Sequence, residues 1–96
     1  MTNAEIAKVF LDIAELLKLK KDNIFKIRAY QKAARSIGEL AVPVAQLVAE
    51  GRLREVPGVG EAITKKITEL VTTGRLAYYE RLKAETQEGV NSNQGQ

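Results

Sequence analysis

The sequence predicts an all-α fold, a compact bundle of four to five short helices. Two observations predict it. Apolar residues recur at intervals of three and four along most of the chain, which is the period of a helix face. No run alternates with the period of two that a half-buried strand would show, and the β-branched residues also fall at helical spacing.

The first predicted helix covers about residues 3–19. Its apolar residues repeat at the spacing of one helix face: Ile6, Val9, Phe10, Ile13, Leu16 and Leu17. Thr2 and Glu5 have the Ser/Thr-x-x-Glu form of a capping box, which satisfies amides that the first turn leaves free.

The second predicted helix covers about residues 24–40 and follows the polar loop "KLKKDN", in which Asp22 or Asn23 can cap it. Its buried side is broad and contains two alanines, which implies close packing against another helix. The members of this side are Ile27, Tyr30, Ala33, Ala34 and Ile37.

The remaining predicted helices are shorter. "AVPVAQLVAEG" predicts a third helix, with Pro43 in its first turn and Gly51 just beyond its end. A fourth covers about residues 61–73 and ends at Gly74, and "RLAYYERLKAE" predicts a fifth.

Composition limits the functions that this chain can carry. Its 96 residues suffice for one domain, residues 1–85, and we expect the polar tail, residues 86–96, to be disordered. The absence of Cys and His excludes disulfides, zinc-thiolate sites and His-based catalytic triads. A formal net charge of +3 is mildly basic and does not by itself require a polyanionic partner.

No apolar run approaches the length of a membrane span, and no signal-peptide pattern opens the chain. We therefore expect a cytoplasmic protein without membrane contact.

The segment "VPGVG", between the third and fourth helices, is the most informative stretch. Pro57 presets a turn, and Gly58 and Gly60 can take positive φ at low cost. Gly60 leads into a helix N-terminus, where free amides and the helix dipole favour an anion such as a phosphate oxygen. Lys65 and Lys66 would add positive charge. The alternative is a tight connector between antiparallel helices, for which one glycine would suffice.

Two motifs together resemble a known family. "LREVPGVGEAITKKITELVTTGRL" resembles the helix-hairpin-helix of X-family DNA polymerases, the DNA polymerase β group, and "NIFKIRAYQKAARSI" resembles the preceding helix of the same amino-terminal domain. The similarity runs from about Asn3 to about Lys83 and is greatest to bacterial and archaeal members. It implies a four-helix core that binds gapped or nicked DNA near a 5′-phosphate. Nothing in the chain resembles the palm, the fingers or the nucleotidyl-transfer carboxylates, so we expect no polymerase activity from it alone.

The resemblance also implies roles for single residues. Lys66 matches the lysine that forms a Schiff base with the opened sugar in members with 5′-deoxyribose-phosphate lyase activity. Lys26 and Tyr30 match the 5′-phosphate pocket of the family. Phe25, Ala62 and Tyr78 stand where the animal enzyme has a histidine or basic residues, and these three departures imply weaker phosphate binding.

The resemblance implies that the protein requires no cofactor. It also implies a monovalent cation, Na⁺ or K⁺, bound at the hairpin. In the family, backbone carbonyl oxygens hold this ion. The corresponding carbonyls here belong to Arg54, Val56 and Val59.

The residues by themselves leave the roles of these lysines undecided. At about 100° per residue, Lys66 lies near Leu70 at the edge of the apolar stripe, and Lys65 points nearer to solvent. A nucleophilic lysine must be neutral, and partial burial or a like charge such as Lys65 would lower its pKa. A lysine that extends its stem over the core edge and binds phosphate or water also explains the position. Similarly, Tyr30 belongs either to the phosphate pocket or to the core, with Lys26 on the surface.

Three hypotheses follow. The first is sequence-independent DNA binding at gapped or nicked sites during repair, with phosphates held by Gly58, Val59, Gly60 and the start of the next helix, close to Lys65 and Lys66. The second is a deoxyribose-phosphate or abasic-site lyase that uses Lys66. The third is a helical protein-interaction module, since acidic and basic residues nearly balance, and repair proteins would be its partners.

Overall fold

The computed structural model describes the backbone of residues 1–94 and the side chains of residues 1–86. Within this range the chain forms five α-helices, one turn of 3₁₀-helix and no strand, so the all-α prediction is confirmed. The helices are α1 (Asn3–Leu19), α2 (Ile24–Gly38), α3 (Val44–Ala49), α4 (Glu61–Thr73) and α5 (Ala77–Gln94), and the 3₁₀ turn is Leu53–Glu55. The predicted disorder of the tail falls mainly on residues 87–96, which lie outside the described side chains, and it stays a prediction.

The α1–α2 pair forms the main packing unit of the fold. Every residue assigned to the apolar side of α2 is buried, and Ala33 and Ala34 allow the two helices to approach closely. From α1, buried aliphatic and aromatic residues meet them: Ile6, Phe10, Ile13 and Leu17, together with Ala14. Tight packing of this kind is favoured because small side chains on one helix admit large ones from the other.

Both predicted caps of this unit are present. The Thr2 hydroxyl accepts from the Glu5 amide at 3.1 Å, and a Glu5 carboxylate oxygen accepts from the Thr2 amide at 2.7 Å. At α2 the cap is Asn23, whose side-chain oxygen accepts from the Phe25 amide at 2.7 Å. These bonds fix the starts of α1 and α2.

Helix α3 begins one residue later than predicted. Pro43 has φ −60° and ψ 135°, so it is the extended residue before the helix and not a member of the first turn. Proline offers no side-chain acceptor, and Asn3 from α1 takes over this role. The Asn3 side-chain oxygen accepts from the Val44 amide at 2.8 Å, and its side-chain nitrogen donates to the Val42 carbonyl oxygen at 2.8 Å.

The second half of the bundle is built on α4 and α5. Gly74 ends α4 with φ +75°, the left-handed conformation that glycine adopts at low cost. The Glu69 carboxylate then accepts from the Ala77 amide at 2.8 Å and so caps the start of α5. The buried residues of this half are Ile63, Ile67, Leu70, Leu76 and Leu82.

Three aromatic rings stack through the centre of the molecule. Tyr30 lies between Phe10 of α1, with ring centroids 5.8 Å apart, and Tyr78 of α5, at 6.1 Å. Because Tyr30 itself belongs to α2, this stack connects three helices. Helix α5 also contacts α1 directly, since the Tyr79 hydroxyl donates to Asp12 at 2.8 Å and Lys20 pairs with Glu85.

We expect Asn3→Ala to lower the free energy of unfolding by about 1–3 kcal/mol, because it leaves the Val44 amide and the Val42 carbonyl without their partners. Asn3→Asp keeps the acceptor but loses the donor, so its loss should be intermediate. Urea denaturation of the three proteins would measure this. An Asn3→Ala midpoint equal to that of the unchanged protein would show that the α1–α3 link adds no stability.

Candidate nucleic-acid interface

The hairpin between α3 and α4 is anchored by its valines and exposes its glycines. Val56 and Val59 are each 5% exposed and belong to the core. The Val59 amide donates to the Val56 carbonyl oxygen at 3.1 Å and closes the turn. Gly58 has φ +83°, as predicted. Gly60 does not use the freedom that glycine allows, because its φ is −94°.

The start of α4 differs from the other helix starts in lacking a side-chain cap. Side-chain acceptors are present at the first turns of α1, α2, α3 and α5. At α4 the N-cap residue is Gly60, which has no side chain to accept a bond. Within the described part of the chain, no acceptor is found for the amides of Glu61, Ala62 and Ile63. Three N–H groups at the positive end of the helix dipole are therefore left to bind water or an anion.

Gly58 is also the point where the hairpin meets α2. A Cβ placed on Gly58 would lie 2.8 Å from Cγ and 3.0 Å from Cδ of Lys32. The aliphatic stem of Lys32 thus packs against the turn, and its ammonium group is carried to the hairpin edge. The sequence predicts that Gly58 is a turn residue. It does not predict the contact between Gly58 and Lys32 of α2, because that contact depends on tertiary packing.

The backbone carbonyl oxygens that the resemblance assigns to a monovalent cation site are free to make further contacts among the described residues. Of the three, the Val56 oxygen accepts one turn hydrogen bond, from the Val59 amide. No donor is found among the described residues for the carbonyl oxygens of Arg54 and Val59. Carbonyl oxygens are suitable ligands for hard cations, so the donor set fits Na⁺ or K⁺ chemically.

A second group of cations surrounds one aromatic ring. The Lys66 ammonium lies 4.8 Å from the centroid of Tyr78, the Lys26 ammonium 5.9 Å and the Arg81 guanidinium carbon 5.8 Å. Each is at a distance at which a cation is attracted to the face of a ring. We call Lys26, Lys66, Arg81 and Tyr78 the tyrosine-centred cluster. It joins α2, α4 and α5, and the attraction of the ring partly offsets the repulsion between three like charges.

Two features of this cluster were not predicted from the sequence. One is Arg81, although this residue stands three positions after Tyr78 on α5 and therefore on the same helix side. The other is the role of Tyr78, which was predicted only as the loss of a basic residue. In the structure Tyr78 holds the cations together, and its hydroxyl is buried without a hydrogen-bond partner among the described residues.

Lys66 has an environment that favours its neutral form. Burial lowers its pKa, and the charges of Lys26 and Arg81 lower it further, while Glu69 acts in the opposite direction. The expectation that Lys65 supplies the like charge is wrong. The Lys65 side chain is 78% exposed and its ammonium lies 4.0 Å from Glu61, because consecutive helical residues point in directions about 100° apart.

Tyr30 is a core residue. It is 4% exposed, and burial together with the neighbouring Tyr78 phenol raises its pKa. Lys26 is exposed and its ammonium lies 3.8 Å from Asp22. Lys26 and Tyr30 thus both border Tyr78, but only Lys26 reaches solvent. A contact between Tyr30 and a phosphate stays a prediction.

Most of the chain matches a known protein family. Residues 1–76 match the model of a helix-hairpin-helix domain, a range that includes α1 to α4 and the glycine hairpin. The narrower likeness to X-family polymerases stays a prediction. No helix in the described part of the chain is long and apolar enough to cross a membrane.

The two hairpin glycines should respond differently to substitution. Gly58→Ala should cost about 1–2 kcal/mol of unfolding free energy, because it forces a side chain into the left-handed region and displaces the Lys32 stem. Gly60→Ser should keep stability or raise it by a few tenths of a kcal/mol, because serine caps a helix at least as well as glycine and the position faces open space. Thermal and urea denaturation would test this. Equal losses at both positions would contradict the described turn.

Proposed function

Because this chain belongs to the helix-hairpin-helix domain family, whose members bind DNA generally without sequence preference, we propose that it binds gapped or nicked DNA in repair through the phosphate backbone. The observation that carries the proposal is the start of α4. There an exposed Gly60 leads into three amides that have no acceptor among the described residues. A phosphate oxygen would complete this cap.

The charges near the hairpin support the same proposal. Lys32 packs on Gly58 from the α2 side, and Lys65 extends into solvent from the second turn of α4. A cation held by the carbonyls of Arg54, Val56 and Val59 would add positive charge on the remaining side. When bound, Na⁺ or K⁺ would supply electrostatic attraction for a phosphate and no chemistry of its own.

The tyrosine-centred cluster supports a preference for DNA ends. Lys66 and Arg81 have no salt-bridge partner among the described residues. A terminal phosphate carries more negative charge than an internal phosphodiester, and three converging cations favour the more highly charged group. A 5′-phosphate at a gap or nick is such a group.

Gly60→Ser should weaken DNA binding about tenfold while the protein stays folded, because the serine hydroxyl occupies an amide that a phosphate would use. Fluorescence anisotropy with a gapped duplex would measure the affinity. Gly38→Ser is the matched control, since Gly38 is the last residue of α2 and a Cβ there meets nothing within 4 Å. Binding to the unchanged protein should also weaken as salt rises.

Two results would contradict the proposal. One is DNA affinity that is independent of salt, because phosphate contacts release counterions. The other is equal affinity of the Gly60→Ser and Gly38→Ser proteins for DNA. Binding to a repair protein that survives both substitutions, with no DNA binding at all, would instead favour the interaction-module hypothesis.

A second candidate function, lyase chemistry at Lys66, is supported by the partial burial of this lysine beside Lys26 and Arg81, which lowers its pKa from the usual value. In that reaction the neutral Nζ attacks the aldehyde carbon of an opened deoxyribose, water leaves and an imine forms. Partial burial and the two neighbouring cations make the neutral amine more abundant at a given pH. The same cations would hold the phosphate of the sugar.

Borohydride should trap a covalent adduct between the protein and a 5′-deoxyribose-phosphate substrate by reducing the imine. Lys66→Ala should abolish trapping, and Lys65→Ala, the control, should retain it, because Lys65 points into solvent. Trapping should increase with pH as Lys66 loses its proton. Lys26→Gln removes a charge that lowers the Lys66 pKa, so it should shift this pH profile towards higher pH. An adduct that persists in Lys66→Ala would exclude Lys66 as the nucleophile.

A further inference from the structure

A small pocket lies between α3, the 3₁₀ turn and α4, and we call it the α3–α4 pocket. Its volume is about 180 Å³. Three aliphatic residues and two threonines line it together with one exposed cation, which stands at its mouth. In that order they are Leu47, Val48 and Leu53, Thr64 and Thr68, and Arg54. The pocket is therefore mainly apolar, with hydroxyl groups from α4 and one charge at the edge.

The threonines of α4 differ in how their hydroxyl groups are used. Thr68, Thr72 and Thr73 each donate to the carbonyl oxygen one turn back, all at 2.8 Å. Thr64 does not, and its hydroxyl oxygen is buried with no hydrogen-bond partner among the described residues. A buried hydroxyl without a partner costs free energy. An occupant of the α3–α4 pocket that carries a polar atom could recover this cost.

Arg54 gives the mouth of the pocket an available positive charge. Within the described part of the chain it forms no salt bridge. The carboxylates nearest to it along the chain, Glu50 and Glu55, both pair with Arg52. An anionic group beside the pocket can therefore bind the Arg54 guanidinium without displacing an internal partner.

The size and lining of the pocket favour one aromatic side chain over a whole small molecule. Pockets for drug-sized ligands have volumes of about 300–1,000 Å³. An apolar cavity of about 150 Å³ holds a single benzene ring. The α3–α4 pocket is close to the second size. A ring with a polar atom at its tip would use both the aliphatic walls and the Thr64 hydroxyl, and among side chains tyrosine has this form.

We propose that the α3–α4 pocket binds a tyrosine side chain from an acidic segment of a protein partner. The ring packs between the aliphatic walls, its hydroxyl bonds to Thr64, and an aspartate or glutamate next to the tyrosine pairs with Arg54. Tyrosine is among the residues that anchor protein interfaces by filling such pockets. The proposal does not rest on DNA binding, so either one can fail while the other stands.

The partner is a different protein and not a second copy of this chain. The chain has 3 tyrosines, and each is used within its own fold. Tyr30 is 4% exposed, the Tyr78 hydroxyl is buried, and the Tyr79 hydroxyl donates to Asp12 at 2.8 Å. A tyrosine of this chain could enter the pocket of another copy only by leaving the aromatic stack or the contact between α5 and α1.

p-Cresol and toluene test the hydroxyl contact, because they differ only in the phenol oxygen. In NMR titrations both should shift the methyl signals of Leu47 and Leu53. The ratio of the p-cresol affinity to the toluene affinity should fall about 5- to 100-fold in Thr64→Val, because the buried phenol then lacks its partner. Thr68→Val is the matched control. Thr68 lines the same pocket, but its hydroxyl is already bonded to the Thr64 carbonyl, so the ratio should not change.

Two results would overturn the phenol site. One is the absence of p-cresol shifts at the pocket, or an affinity ratio that is unchanged in Thr64→Val. The other is an equal fall of the ratio in both valine variants, because the fall would then reflect the general polarity of the pocket and not a bond to Thr64.

Short peptides test the chemistry of the partner. Acetyl-Asp-Tyr-Asp-amide should bind more tightly than acetyl-Asp-Phe-Asp-amide, and Thr64→Val should remove the difference. Arg54→Gln should weaken binding of the tyrosine peptide about 2- to 5-fold, as expected for an exposed ion pair, and should leave the affinity for uncharged p-cresol unchanged. Arg75→Gln, the control, removes the same charge outside the pocket and should change neither affinity.

The peptides also separate a protein partner from a small phenol. If p-cresol binds while neither peptide does, the pocket is a site for small phenols and the assignment to a protein segment is wrong. If Arg54→Gln and Arg75→Gln weaken the tyrosine peptide equally, Arg54 is not the partner of its carboxylates, and the proposed acidic contact is wrong.

Discussion

The stack of Phe10, Tyr30 and Tyr78 is the interaction on which the arrangement of this bundle depends. It connects α1, α2 and α5 through one central residue, Tyr30. The outer ring, Tyr78, then meets the three cations of the tyrosine-centred cluster on its exposed side. The three stacked rings therefore contribute apolar packing at Phe10 and a site for cations at Tyr78. Large rings suit this role because they bury much apolar area and still offer a negative face to cations.

The hairpin and the tyrosine-centred cluster both depend on how α2 is placed. Its inner side packs on α1 through Ala33 and Ala34, and its exposed side carries Lys26 and Lys32. Lys32 joins this helix to the hairpin, because the absence of a side chain at Gly58 leaves room for the lysine stem. Gly58 is thus needed for its backbone conformation and for this contact, whereas Gly60 leaves the start of α4 open to a ligand. The role of Gly60 becomes apparent only when a ligand at the start of α4 is considered.

Charge is distributed unevenly although its total is small. Several lysines are paired with acidic residues one helical turn away, and such exposed pairs contribute little to stability. Among the described residues, Lys32, Lys66 and Arg81 have no salt-bridge partner, whereas Lys26 and Lys65 each have one. Burial and, to a smaller extent, the nearby charges of Lys26 and Arg81 lower the pKa of Lys66. A bound anion would relieve the repulsion between these like charges. The proposed DNA ligand would therefore stabilise the fold as it binds.

The sequence by itself determined the helices, the local caps of α1, α2 and α4, and much of the core. Periodicity located Ile6, Phe10, Ile27 and Ile37, and local motifs located Thr2, Asn23 and Gly74, because these features depend on residues a few positions apart. Tertiary structure alone decided which distant residues meet. Asn3 caps α3 across 41 positions, and Lys66 is influenced by Lys26 and Arg81 and not by its neighbour Lys65. Such contacts cannot be predicted from helical period, since they depend on the direction in which whole helices pack.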